Sequence, residues 1–160
     1  MEDIFHAIRG LFSEALPLTL LDMTIRGSPA IGVAGAYGVV FAVLEKKPAT
    51  KAELLDVVTK AKEYLDTSRP TAVNLMWATA RMKNFAEGLN EGDDFGKEMI
   101  DEAQRIADDD VRINKRMAQN GATLVPSNAN VIHHCNTGSL ATVDIGTALG
   151  VIYGFVISLQ

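Results

Sequence analysis

β-strand character is confined to one short run in this chain, and that run limits what the chain can fold into. The run is Val131–His134, followed by a small polar turn and then by an apolar segment that can form a helix. A parallel strand is buried on both faces and needs a neighbouring strand on at least one edge. One strand with one helix is therefore only the first unit of an α/β fold, and the rest of the chain is predicted to be helical.

Apolar periodicity and end signals predict a mainly α fold. The first long helix, Ala30–Leu44, is apolar on nearly all sides, with Ser28 as its capping residue and Pro29 at its first helical position. Met1–Ala15 is predicted to form a short amphipathic helix. The next helix begins with the capping box Thr50/Glu53, and its apolar face is Leu54, Val57, Val58, Ala61, Tyr64 and Leu65.

Two more helices are predicted. Helix Thr71–Glu87 is expected to turn Val73, Met76, Trp77 and Ala80 inward. A long helix, about Lys97–Asn120, is expected to bury Met99, Ala103, Ile106, Ile113 and Met117 and to end with Gly121 as a left-handed cap.

Charge and composition argue against several classes of protein. The net charge of the 160 residues is −5, with no clustered basic face, so no nucleic-acid partner is expected. The start lacks a cleavable apolar run, and Ile145–Leu159 is shorter than the roughly 18–20 residues that a membrane-spanning helix needs. The single cysteine excludes an internal disulfide. We therefore expect a cytoplasmic protein with no membrane partner.

Cys135 lies where the β run meets the turn Asn136–Ser139. A lone cysteine is more often an inert buried thiol. Backbone N–H groups at a helix start can instead activate a thiol, which favours a reactive role here. His133 and His134 would point to opposite faces of a strand, so at most one could serve that thiol. A structural zinc site is not expected, because such sites draw on two separated ligand pairs, and neither a metal nor another cofactor is predicted.

Two arginines precede predicted helix starts. Arg26 lies in I-R-G-S-P and Arg69 in S-R-P-T. A helix N-terminus and a guanidinium together suit a phosphate, although an arginine in this position more often pairs with a surface carboxylate. The second arginine in the same context raises the odds of an anion site modestly. Asp108–Asp110 could be a metal cluster, but consecutive helical residues do not converge on one point, which favours a solvated face.

Four blocks of the sequence resemble methylthioribose-1-phosphate isomerase, within the larger family of translation initiation factor 2B α/β/δ-like proteins. They are I-R-G-S-P-A-I-G-V-A-G-A-Y-G (25–38), S-R-P-T-A-V-N-L-M-W-A (68–78), N-K-R-M-A-Q-N-G-A (114–122) and H-C-N-T-G-S-L-A-T with G-T-A-L-G-V-I (134–152). The resemblance implies an N-terminal helical domain, residues 1–126, and the start of a truncated Rossmann-like domain, residues 127–160.

The resemblance also implies an activity and its residues. The family converts the aldose 5-methylthioribose 1-phosphate into the ketose 5-methylthioribulose 1-phosphate in methionine salvage. By resemblance, Cys135 is the catalytic thiol, and Arg26, Gly27, Ser28 and Arg69 bind substrate, mainly its phosphate. A non-catalytic subunit like those of initiation factor 2B and a ribose 1,5-bisphosphate isomerase are the alternatives.

The resemblance places the family's catalytic aspartate beyond residue 160. We therefore expect these 160 residues to be a fragment that is inactive alone. The unpartnered β run and the apolar segment Ile145–Leu159 also predict a homodimer or larger homo-oligomer.

Overall fold

The computed structural model describes Leu20 and residues 23–158, and it confirms a mainly helical chain. Its elements are α1 (Ser28–Lys46), α2 (Lys51–Ser68), α3 (Val73–Gly88), α4 (Phe95–Ala122), a short 3-10 helix (Ser139–Ala141) and α5 (Ala148–Ser158). The core lies where α1, α2, α3 and α4 pack together. The predicted helix Met1–Ala15 lies outside the described residues.

Helix α1 is the centre of the core, and glycines let α3 approach it closely. A Cβ on Gly32 would lie 2.9 Å from the carbonyl oxygen of Asn74, and a Cβ on Gly35 would collide with the side chain of Leu75. Among the described residues, α1 is also the one helix long and apolar enough to span a membrane by length and composition. Its buried residues pack in the core, which accounts for this apolar composition.

The start of α2 confirms the predicted capping box. The Thr50 hydroxyl accepts the backbone N–H of Glu53 at 3.2 Å, and the Glu53 carboxylate accepts the Thr50 N–H at 3.3 Å. Leu54, Val58 and Leu65 are buried as the periodicity predicts, whereas Tyr64 is exposed. The signal works because both ends of the capping box are encoded within four residues.

The predicted inward face of α3 is wrong. Val73 is 68% exposed, and Met76 and Trp77 are exposed as well. The buried side of the helix carries Leu75, Ala78, Thr79, Met82 and Ala86. Both faces of this helix carry apolar side chains, so the periodicity alone did not fix which face packs on α1.

Helix α4 runs through Gly121, so the predicted left-handed cap at that residue is wrong; the helix ends at Ala122, and its C-cap residue, Thr123, has a right-handed conformation. Gly121 instead allows α5 to pack closely, because a Cβ there would lie 2.7 Å from Cγ1 of Val151. Met99, Ala103 and Ile106 are buried as predicted, but Ile113 and Met117 are exposed. The second half of α4 packs against α5 through small residues such as Ala118.

The predicted strand Val131–His134 is not formed. The segment has no regular structure, and Ile132 is 98% exposed. A strand needs a neighbour to pair with its backbone N–H and C=O groups, and no strand is present in the described part of the chain. The helix expected after the polar turn does form, as α5. The boundary between residues 126 and 127 stays a prediction.

Candidate functional site

Arg26, Gly27 and Ser28 form the entry to α1. Gly27 is the N-cap, with φ at 90°, and its carbonyl accepts the N–H of Ile31 at 2.9 Å. Ser28, predicted as the capping residue, is instead the first helical residue, and the helix has no side-chain cap hydrogen bond. Only glycine adopts this positive φ without strain. The side chains of Arg26 and Ser28 are exposed.

Arg69 lies at the junction between α2 and α3. It is the C-cap of α2, and its backbone carbonyl accepts the N–H of Ala72 at 2.9 Å just before α3 begins. One guanidinium nitrogen, Nη1, donates to the carbonyl of Leu20 at 3.2 Å. That contact orients the half-buried side chain.

The starts of α1 and α3 lie at the same end of the helix pair. Gly32 faces Asn74, and Gly35 faces Leu75 and Thr79, so the contacts advance in the same direction along both helices. The N-terminal ends therefore point the same way, and their positive dipole ends add at one side of the bundle. Arg26 and Arg69 precede these two helix ends, although a shared phosphate site for them remains a prediction.

Cys135 is an exposed thiol in a strained turn. Its φ is 69°, in the left-handed region that residues with a Cβ rarely adopt. The thiol is therefore not buried, while its reactive role stays a prediction. Of the two neighbouring histidines, His133 contacts the turn, with Nδ1 3.4 Å from the Thr137 hydroxyl.

The turn after Cys135 closes on the start of α5. The carbonyl of Thr137 accepts the N–H of Thr147 at 2.8 Å, and the side-chain oxygen of Asn136 accepts the N–H of Gly138 at 3.3 Å. Gly146, with φ at 88°, packs so tightly on Thr137 and Gly138 that a Cβ would not fit. The segment 136–147 is therefore a closed loop with Cys135 at its entrance. We name it the thiol loop.

The thiol loop touches the entry to α1. A Cβ on Gly27 would collide with the backbone and side chain of Ala141 in the 3-10 helix. Residues more than a hundred positions apart in sequence are thus in direct contact. The contact places the Arg26–Ser28 segment beside the thiol loop, and the pairing of α1 with α3 places the Arg69 junction at the same end.

The three aspartates of α4 are neither a metal cluster nor a merely solvated face. Asp109 accepts hydrogen bonds from Arg112 at 2.9 Å and from Arg81 at 3.1 Å, and these hold its pKa below the ordinary value. Asp108 accepts from Gln104, whereas Asp110 binds the thiol loop (below). Within the described residues, no group of three His, Cys, Asp or Glu side chains could hold a metal ion.

A groove of about 840 Å³ lies elsewhere, between α1 and α2. Its walls include Ala42, Val57, Ala61 and Tyr64. None of the predicted site residues lines it, so we do not assign it to the substrate.

Comparison with known proteins identifies relatives of this chain. The sequence profile of the initiation factor 2 subunit family matches residues 24–156. The chain is 54% identical, over 132 residues, to Methylthioribose-1-phosphate isomerase 2 of Pseudothermotoga lettingae, covering 82% of the chain and 38% of the relative. A Synechococcus protein named methylthioribose-1-phosphate isomerase is 46% identical over the same shares. The chain therefore spans a little over a third of the length of these relatives.

Two solved structures share the fold. The crystal structure of 5-methylthioribose 1-phosphate isomerase from Pyrococcus horikoshii matches with a TM-score of 0.76 and 42% identity, over 86% of this chain and 39% of the other. The crystal structure of translation initiation factor eIF-2B, subunit delta, from A. fulgidus matches with a TM-score of 0.79 and 37% identity, over 91% of this chain and 43% of the other.

Proposed function

The chain belongs to the initiation factor 2 subunit family, and on that premise we propose that it is part of an aldose–ketose isomerase acting on 5-methylthioribose 1-phosphate. Its relatives at 54% and 46% identity are named methylthioribose-1-phosphate isomerase. The observation that carries the proposal is the contact between Gly27 and Ala141, because it brings the arginine-bearing entry to α1 against the loop that follows Cys135.

The proposed phosphate site uses the two helix starts. An anion is stabilised by backbone N–H groups at a helix N-terminus and by the planar donors of a guanidinium. Arg26 and Ser28 are exposed at one such start, and Arg69 is fixed near the other by its bond to Leu20. In this proposal the lack of a side chain at Gly27 lets the backbone pack closely against Ala141, which leaves space for the phosphate beside the helix N-terminus.

The proposed chemistry is a proton-transfer isomerisation. In the aldose the anomeric carbon carries the phosphate, so the ring must open before hydrogen moves from C2 to C1. The net reaction is an isomerisation that consumes and releases no electrons or protons. An acid–base pair in a site shielded from water can perform it. Cys135 would supply one member of that pair, and its exposed position at the entrance of the thiol loop leaves the sulfur accessible to a sugar.

A non-catalytic role remains the second candidate, because the eIF-2B delta structure matches the fold with a TM-score of 0.79. The backbone alone therefore does not separate the two functions. Sequence identity favours the isomerase, at 42% against 37% for the two structures. A regulatory subunit would need neither the thiol nor the phosphate arginines. Isomerase turnover that depends on Cys135 would therefore separate the isomerase from the non-catalytic candidate.

A hybrid enzyme tests the proposal. Residues 24–156 of this chain replace their aligned counterpart in the Pseudothermotoga lettingae relative, and formation of the ketose phosphate is measured. We expect turnover within about tenfold of the parent enzyme, because the exchanged segment carries the proposed arginines and thiol. The 160-residue chain alone is the control and should show no turnover, since most of the relative's length has no counterpart in it. A folded hybrid without turnover would contradict the proposal.

We also propose that the protein works in the cytoplasm as a homo-oligomer. A single exposed thiol stays reduced in that compartment. Leu124, Ile132 and Leu140 are each more than four-fifths exposed, and apolar surface of this kind favours burial against another polypeptide. Light scattering at micromolar concentration should show a dimer or larger species. A stable 17.2 kDa monomer would contradict this expectation.

A further inference from the structure

Asp110 reaches from α4 to the thiol loop. Its Oδ2 accepts the backbone N–H of Val143 at 2.9 Å, and its Oδ1 accepts the side-chain N–H of Asn114, one helical turn later, at 2.8 Å. Asn114 is buried, so it holds the carboxylate in one orientation. Oδ2 of Asp110 therefore joins the helix to the loop, while Oδ1 is held by a side chain of the same helix.

Two further hydrogen bonds continue this connection towards Cys135. The hydroxyl of Thr142, which is buried, accepts the N–H of Gly146 at 3.0 Å. Gly146 is packed against Thr137, and the next residue, Thr147, donates its N–H to the Thr137 carbonyl. The path runs from a rigid helix to the residue two positions after the thiol.

The backbone of Cys135 needs such support. A left-handed conformation costs a residue with a Cβ about 1–2 kcal/mol and persists where its surroundings fix it. A second tie from α4 to the same loop, the ion pair of Lys115 with Asp144 at 3.1 Å, is exposed on both sides. Exposed pairs contribute little. The hydrogen bond from Val143 to Asp110 is also exposed, but its acceptor is held in place by the buried Asn114, so we take it as the stronger of these two restraints.

We propose that Asp110, oriented by Asn114, is a positioning residue that fixes the thiol loop and thereby the conformation of Cys135. The functional importance of this role rests on the proposed function. The structural part does not, because it concerns the conformation of the 160-residue chain itself and needs no substrate.

Amide hydrogen exchange and the Cβ chemical shift of Cys135, both measured by NMR on the 160-residue chain, test the proposal. Asp110→Ala should speed exchange at Val143 and Gly146 by about tenfold or more, because a charge-assisted hydrogen bond is lost. It should also move the Cys135 shift towards the value of an unstructured chain. Asp108→Ala is the matched control: it removes the same charge from an exposed position on the same helix and should change neither.

Two more variants separate positioning from general stability. Asp110→Asn keeps an oxygen for Val143 and can pair with a reoriented Asn114 amide, so it should retain the wild-type exchange and shift. Thr142→Val breaks only the next link, so Gly146 should exchange faster and Cys135 should shift while Val143 stays protected. An unchanged Cys135 shift in a folded Asp110→Ala variant would overturn the proposal, whatever the hybrid's turnover. If that variant fails to fold, an unchanged Cys135 shift in Thr142→Val would overturn it, because the path from Asp110 to the thiol runs through Thr142.

Discussion

Cys135→Ser in the hybrid enzyme is expected to lower kcat by about 10²–10⁴-fold, the range that a general acid or base supplies. The hydroxyl keeps the size of the thiol approximately but ionises far less readily than a thiol. KM should change little, because the proposed phosphate contacts at Arg26 and Arg69 stay in place. Initial rates of ketose phosphate formation give both constants.

Ser139→Ala is the matched control for this substitution. Ser139 is exposed in the same thiol loop, and its backbone carbonyl closes the 3-10 helix on Thr142 without help from its hydroxyl. The control should keep kcat within about threefold of the unsubstituted hybrid. If Cys135→Ser retains more than a tenth of the parent kcat, the thiol is not the acid or base and its role must be structural.

Leu75→Ala is expected to have the largest effect on stability, lowering the free energy of unfolding by about 2–5 kcal/mol. Leu75 is fully buried, and its side chain fills the space that Gly35 leaves on α1. The loss combines the transfer free energy of the removed carbons with the cavity left between two closely packed helices. Urea unfolding followed by circular dichroism measures it.

Val73→Ala, on the same helix, is the control and should change stability by no more than about 0.5 kcal/mol, because Val73 is exposed. The pair of variants tests the orientation of α3 directly. Equal losses for the two substitutions, or a larger loss for Val73→Ala, would mean that the helix is rotated and that the face predicted from the sequence is the packed one.

The sequence predicts the helices better than their orientations. Thr50 and Glu53 mark the start of α2 through contacts made within four residues, so a local reading suffices. Gly121 shows the opposite case. A glycine near a helix end is typical of a C-terminal cap, but here its lack of a side chain allows Val151 of another helix to pack closely. Contacts between distant segments decide such positions, and no local pattern records them.

The candidate site shows the same division. The sequence singled out Arg26, Arg69 and Cys135, but the contact of Gly27 with Ala141 that relates them follows only from the folded chain. Asp110 was missed as a residue supporting the site, because three consecutive aspartates suggest a solvated face. The spacing of Asp110 and Asn114, one helical turn apart, was the available signal.

Binding of 5-methylthioribose 1-phosphate to the 160-residue chain, mapped by backbone amide chemical shifts, tests most directly whether three distant segments form one site. We predict shifts at residues 26–31, 69–75 and 135–147 that saturate together, with no shifts along the groove between α1 and α2. Arg26→Ala and Arg69→Ala should each weaken this binding by roughly 1.5–3 kcal/mol, the range for a hydrogen bond to a charged group. Shifts confined to one segment, or equal affinity in both arginine variants and the unsubstituted chain, would contradict the account.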